Sequence, residues 1–367
     1  MASNLDGAPE TQGSGPRQPE RQPPWWLSRR LWLGLFLGLG AFVLALVDID
    51  FGEMAAALRS ANLSWVALAG VTVLISAVAK GWRWHLLLYP APAAERQPPA
   101  GARISRPRLI NIWTAGTGVN LALPVPRAGD LLRVYLAGEA GQASKSLVLG
   151  TIAAEKLLDM VMLAVCFLGL LLFVAMPQEL AQRQTSTVGV ALALTAAVAL
   201  ALWQRERIVA LASRLLRHIP HGQRAAGSLE RGLAGLTALR QPGRLLSLAG
   251  LTVGIWFVSV LTNYLIFLAL DMPPSWVQSV FVLVVLQIGV AAPSTPGKIG
   301  LFQVLCRWAL GVFGVPAALG LAYGVLLYVA APLLLMVLGA AALVIEGWRI
   351  GRLPAELDTA LFRRSGP

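Results

Sequence analysis

Charged residues are scarce in this chain of 367 residues, at 13% against 56% hydrophobic ones, and the mean hydropathy is +0.67. Soluble domains carry about a quarter of their residues charged, so this composition excludes an ordinary water-exposed globule and implies a polytopic membrane protein. Only two cysteines occur, Cys166 and Cys306, both inside apolar runs. A disulfide framework or a cysteine metal cluster is thereby excluded, which leaves packing as their role. The three histidines, His85, His218 and His221, have no spacing to cysteines or carboxylates that suits zinc, and no metal or other cofactor is expected. No Walker-type phosphate loop is present, so ATP hydrolysis by that route is excluded too. Asp48 and Asp50 match the D-x-D of some glycosyltransferases, yet they lie at a span end with no nucleotide-binding fold around them and read as loop charge. Acidic side chains are also few, 18 against 30 Lys and Arg, for a net charge of +12. In a soluble protein that excess would suggest nucleic acid. Here the arginines cluster in loops beside hydrophobic runs, where they set topology and meet anionic headgroups, so anionic lipids rather than nucleic acid are the expected partners.

What is present is a series of apolar runs: Leu31 to Val47, Trp65 to Leu87, Leu147 to Met176, Thr187 to Trp203, Leu245 to Leu270 and Ala317 to Ile345. Each is close to the roughly 20 residues that cross a bilayer. Residues 1–28 are rich in Pro, Gly, Gln and Arg with little to bury, and read as a disordered cytoplasmic tail, too long and polar for a signal peptide. Basic loops mark the cytoplasmic side, which places both termini inside an inner or plasma membrane. Segment 204–246 carries arginines together with Leu211, Leu215 and Leu216 at helical spacing, and is expected to lie on the cytoplasmic leaflet.

Two stretches break the apolar pattern in the same way. Gly118, Pro124, Pro126, Arg127 and Gly129 form the first, and Gly289, Pro293, Pro296, Gly297, Lys298 and Gly300 the second. Proline removes a backbone donor and glycine loosens the chain, so at membrane depth such breaks survive only where protein or a watered cavity encloses them. Loop charges alternate correctly if segments 109–146 and 277–313 are hairpins that enter and leave on the same side. The expected fold is all-α, with about six transmembrane helices plus two re-entrant helical hairpins arranged as an inverted repeat. The first membrane repeat spans 29–176, the second 177–345, and 346–367 forms a cytoplasmic tail. A plain eight-span bundle, with complete helices in place of the hairpins, is the alternative.

Ionisable groups inside this frame point to the working part of the molecule. Arg127, Asp130 and Arg133 follow the first break, and Glu155, Lys156 and Asp159 sit within the run Leu147 to Met176. Glu155 and Asp159 are four apart, hence on one helix face, with Lys156 beside them. Charges within a span cost several kcal/mol unless paired or hydrated. Two readings remain open: ion pairs from Arg127 or Arg133 to Glu155 or Asp159 that hold hairpin to helix, or cationic donors for a phosphate-bearing headgroup, to which arginine is suited. The second break offers Lys298, Gln303 and Arg307 as counterparts, with Asn263, Tyr264, Tyr323 and Tyr328 near in sequence. Asn120 and Asn263 either bridge broken backbone or make helix-packing hydrogen bonds.

The strings LPVPRAGDLLRVYLAG, AAEKLLDMV, PSTPGKIGLFQ and FGVPAA, in this order and spacing, resemble the lysylphosphatidylglycerol synthase transmembrane region family of flippase-like membrane proteins, over roughly residues 30 to 345. The resemblance implies a lipid-translocating membrane domain. It matches Pro126, Arg127, Gly129, Asp130 and Arg133 to the first family motif, and Glu155, Lys156 and Asp159 to the next, with lysine in place of the usual arginine. In the last motif, Pro296, Gly297, Lys298, Gly300, Phe302 and Gln303 match a pattern that usually ends in glutamate, so a titrating acid is missing there. The synthases that give the family its name carry a soluble aminoacyltransferase domain. The longest hydrophilic stretch here, Arg205 to Arg244, is only about 40 residues, below the size of an ordinary domain, so aminoacylation by this chain alone is not expected. The leading expectation is a transporter of an anionic phospholipid or lipid-linked substrate with no enzymatic activity of its own. A non-transporting subunit of a lipid or cell-envelope biosynthetic complex, partnered with an envelope enzyme, is one alternative. An intramembrane lipid-modifying enzyme using Glu155 or Asp159 is the other.

Overall fold

Caps and breakers in the sequence place the helix boundaries. A computed structural model describes residues 40, 50–89, 103–123, 125, 127–141, 144–173, 237–290 and 296–350. Its elements are α1 (Phe51–Ser60), α2 (Leu63–Leu88), α3 (Arg106–Ala122), α4 (Ala128–Gly141), α5 (Lys145–Phe173), α6 (Pro242–Ala269), α7 (Trp276–Gly289), α8 (Leu301–Gly311), α9 (Ala317–Tyr328) and α10 (Leu334–Ile350). No strand occurs among the described residues. Asp50, expected to be mere loop charge, instead caps α1, its carboxylate accepting from Gly52 N at 2.7 Å and Glu53 N at 3.0 Å. Asn62 caps α2 in the same way, and its own N–H donates to the Ala269 carbonyl, tying the start of α2 to the end of α6. Pro242 opens α6 at a position where its missing donor costs nothing, a few residues before the expected end of the basic segment.

Three rods, Leu63–Leu88, Pro242–Ala269 and Ala317–Gly347, are long and apolar enough to cross a membrane. Their outer faces stay apolar: Leu63, Leu246, Val337 and Val344 are exposed where a soluble helix would present charge. The expected spans at 65, 245 and 317 thus appear as helices, as does the run at 147, now α5. Apart from residue 40 and residues 346–350, runs Leu31 to Val47 and Thr187 to Trp203, both tails and most of segment 204–246 lie outside the described residues. The segments expected as hairpins, 109–146 and 277–313, hold the helix pairs α3/α4 and α7/α8. With 14 and 11 residues, α7 and α8 rise about 1.5 Å per residue and fall short of a hydrocarbon core about 30 Å thick.

Helix packing repeats itself across the two halves. α2 lies against α6, and the pairs Thr72 with Thr262 and Arg83 with Thr252 show the two running antiparallel. α3 packs on α10 and α5 on α7; α4 fills the angle between α3 and α5, and α8 that between α7 and α9. Exchanging α2 with α6, α3 with α7, α4 with α8 and α5 with the α9–α10 rod maps the α2–α6 contact onto itself and each of the others onto another. The α3–α10 crossing is unusually close, because a Cβ built on Gly118 would lie 2.7 Å from the Gly339 Cα. Small residues allow such backbone approach inside membranes. Gly118→Val should therefore destabilise the protein by about 1–3 kcal/mol through overpacking, seen as a lowered melting temperature in detergent, while Gly250→Val, with open space at its Cβ, should not. An equal shift in both variants would contradict the close crossing.

Candidate functional site

The breaks between paired helices are held by side chains, as buried irregular backbone requires. After α3, Asn120 reaches over the turn: its Oδ1 accepts from Gly129 N at 2.8 Å and its Nδ2 donates to Asp130 at 3.1 Å. Arg127, at φ 62, is exposed at the turn into α4 and does not join the buried charges. Between α7 and α8, Gly297, Lys298 and Gly300 all take positive φ, at 72, 58 and 88 degrees. The freed groups there find partners. Tyr328 OH donates to the Gly297 carbonyl at 2.7 Å, Gln303 accepts from Gly300 N at 2.8 Å, and Lys298 Nζ donates to the Val290 carbonyl at 3.1 Å. Asn263 instead bonds back to Ser259 O on its own helix and accepts from Tyr323 OH.

Asp130, Arg133, Glu155 and Asp159 come together between α2, α4 and α5. Arg133 Nη2 donates to Glu155 Oε2 at 2.7 Å, and Arg133 Nη1 stands 3.8 Å from Asp130. Its guanidinium also lies 4.3 Å above the ring of buried Trp84, whose indole N–H donates to Thr151. Asp159 pairs with a residue that sequence reasoning missed: fully buried Arg83 donates to both of its oxygens, at 2.7 and 3.0 Å, and to Thr252 at 3.2 Å. Arg83 also approaches Glu155 at 3.9 Å, and the Trp113 indole donates to Glu155 at 3.2 Å. Two arginines thus face three carboxylates, so the cluster has one surplus negative charge and no cation to spare. Lys156 is exposed.

A second ion pair binds the halves. Glu346, expected to be the first residue of the C-terminal tail, is buried in α10, where it accepts from Arg108 at 3.1 Å and Asn111 at 3.0 Å. Arg83 and Glu346 carry a signal readable in the sequence, since ionisable groups inside an apolar helix rarely lack a partner.

Between α2, α3, α6, α7 and the α9–α10 rod lies a cavity of about 200 Å³. Apolar walls from Val73, Leu283, Leu286 and Leu335 enclose Ser76, Ser259, Asn263 and Gln287, and two lysines, Lys80 and Lys298, reach it. Gln303 is buried next to this break, whereas Arg307 sits in a separate surface recess beside Trp308. Among the described residues no group of His, Cys, Asp and Glu could hold a metal ion.

Comparison with known proteins bears on this arrangement directly. The sequence profile described as Lysylphosphatidylglycerol synthase TM region matches residues 31–340. Curated proteins and solved structures gave no match. Residues 31–340 contain every described helix from α1 to α9 and both broken segments, and by that match this integral membrane protein belongs to the lysylphosphatidylglycerol synthase transmembrane region family.

Proposed function

We propose that the protein is a flippase-like transporter that moves an anionic phospholipid or lipid-linked substrate between leaflets of an inner or plasma membrane, with both termini cytoplasmic. The observation that carries this reading is the cavity where the two sets of helices meet, apolar in its walls and cationic at Lys80 and Lys298. An amphiphile with a negative headgroup needs both surfaces. The matched packing of the halves and the antiparallel α2–α6 pair support an inverted repeat with α3/α4 and α7/α8 as re-entrant hairpins, inside a frame of about six crossings. In such a fold one half rocks against the other around a fixed central site. The π-helical turn Val329–Leu333, with Pro332 inside it and Ala331 and Pro332 on the cavity wall, supplies a break at which the last rod can bend.

The chain moves its cargo without altering it, and an envelope-biosynthesis enzyme is the partner that would make or use that cargo. Vesicles carrying the purified protein and an anionic phospholipid labelled on its headgroup test the reading. A membrane-impermeant quencher should reach inner-leaflet label far faster than in protein-free vesicles. Label that stays protected would refute transport, and co-purification with a lipid-modifying enzyme would then favour a non-transporting subunit.

A further inference from the structure

The cation count in the cavity is unbalanced. Lys80 comes from α2 and Lys298 from the break before α8, both line the same space, and no carboxylate lines it with them. Neither ammonium makes an ion pair among the described residues. The nearby acids bond other partners outside the cavity, Glu155 and Asp159 the two arginines and Glu346 Arg108, and only the surplus negative charge of the arginine cluster acts on Lys80 from behind. An ammonium held in an apolar enclosure keeps its charge at low cost only with a counter-charge or water, and an arriving anion supplies that counter-charge. Both lysines are also held in place. The Lys80 ammonium lies 5.7 Å from the Trp113 ring centre, and Trp113 is fixed by its hydrogen bond to Glu155. Lys298 sits at φ 58, a backbone conformation seldom taken by a side chain larger than Asn, with its ammonium bonded to the Val290 carbonyl and its neighbour Gly297 tied to Tyr328.

We propose that Lys80 and Lys298 together form a receptor for one oxyanion of the phosphate-ester type, the headgroup phosphate of the transported lipid. This rests on the transport reading above for the source of the anion and on the cavity geometry for the site. Size sets what enters. About 200 Å³ holds a phosphate-sized group with some water, at about 30 Å³ per water. It is smaller than the about 300–1,000 Å³ pockets that enclose drug-sized ligands, so two acyl chains do not fit. They stay outside in the bilayer while the headgroup sits between the lysines. Ser76 and Gln287 offer neutral donors to the same group. The arginine cluster contributes no direct contact. It acts as a positioning unit through Glu155 and Trp113.

Titration calorimetry on the purified full-length protein, with dioctanoyl phosphatidylglycerol, inorganic phosphate and dioctanoylglycerol as probes, tests this. Phosphatidylglycerol should bind and the phosphate-free dioctanoylglycerol should bind far more weakly. Lys80→Gln and Lys298→Asn should each weaken phosphatidylglycerol binding about tenfold or more, the loss of one charged hydrogen bond, with Lys80→Arg keeping most of it. Melting temperatures close to that of the native protein show that the variants are folded. Inorganic phosphate binding as tightly as the lipid, with the same lysine dependence, also supports the receptor and assigns its anion to solution. Unchanged phosphatidylglycerol binding in both folded variants overturns it. The vesicle assay separates the two proposals: lysine-dependent binding without leaflet exchange refutes transport alone, and exchange with lysine-independent binding refutes the receptor alone.

Discussion

Arg83→Met is expected to destabilise the folded protein by about 3–5 kcal/mol, the usual cost of leaving a buried ion pair with one partner. Arg83 is fully buried and spends its donors on both oxygens of Asp159 and on Thr252, with Glu155 3.9 Å away. Removing it strands Asp159 one turn from Glu155, which keeps Arg133. Arg83→Lys should recover little, since one ammonium cannot span two carboxylate oxygens in the paired geometry of a guanidinium. Arg83→Met combined with Asp159→Leu should recover much of the loss, because replacing both members of a buried pair by apolar groups is often close to neutral. Thermal unfolding in detergent micelles, followed by circular dichroism, reads all three. A native melting temperature for Arg83→Met would show that the pair holds nothing.

Glu155→Leu should cost a similar amount, about 3–5 kcal/mol, by stranding Arg133 with only Asp130 at 3.8 Å for compensation. Glu155→Gln keeps one acceptor oxygen, for either Trp113 or Arg133, and should cost less, about 1.5–3 kcal/mol, the worth of hydrogen bonds to a charged group. The gentler variant separates the two readings of the buried charges. If Glu155 holds the fold, folded Glu155→Gln protein exchanges lipid at the native rate per molecule, while Lys80→Gln is folded and slow. A Glu155→Gln protein that melts normally yet no longer exchanges lipid would place the carboxylate in the pathway. The cluster of Arg83, Arg133, Asp130, Glu155 and Asp159, in which both arginines are taken up by carboxylates, favours the first outcome.

Much of the frame was legible because membrane folding is governed by local chemistry. An apolar run of the right length has one stable form in hydrocarbon, so α2, α6 and the α9–α10 rod could be read from composition. Pro124, Pro126 and Pro296 with their glycines marked the breaks because proline and glycine act on the residue where they stand. The shared face of Glu155 and Asp159 followed from helical spacing. Their partners did not. Spacing says which way a side chain points along its own helix and nothing of which helix stands opposite. Arg133 lies 22 positions from Glu155 and was within reach of a local guess; Arg83 lies 76 positions from Asp159 and was not.

The site shows the same division. Arg127, Arg133 and Lys156 drew attention by clustering near one motif, and in the fold Arg133 is consumed by Glu155 while Arg127 and Lys156 remain exposed. Lys80 drew none, standing in an apolar run away from both breaks, yet α2 carries it into the same space as Lys298.

By itself the sequence determined that the chain is helical, lives in a membrane and is broken twice in matching places, since burial, helix length and backbone donors depend on each residue and its near neighbours. Only the tertiary structure decided which charges cancel and which stay available. Electrostatic balance is a sum over neighbours in space, and residues far apart along the chain enter that sum only after the helices have packed.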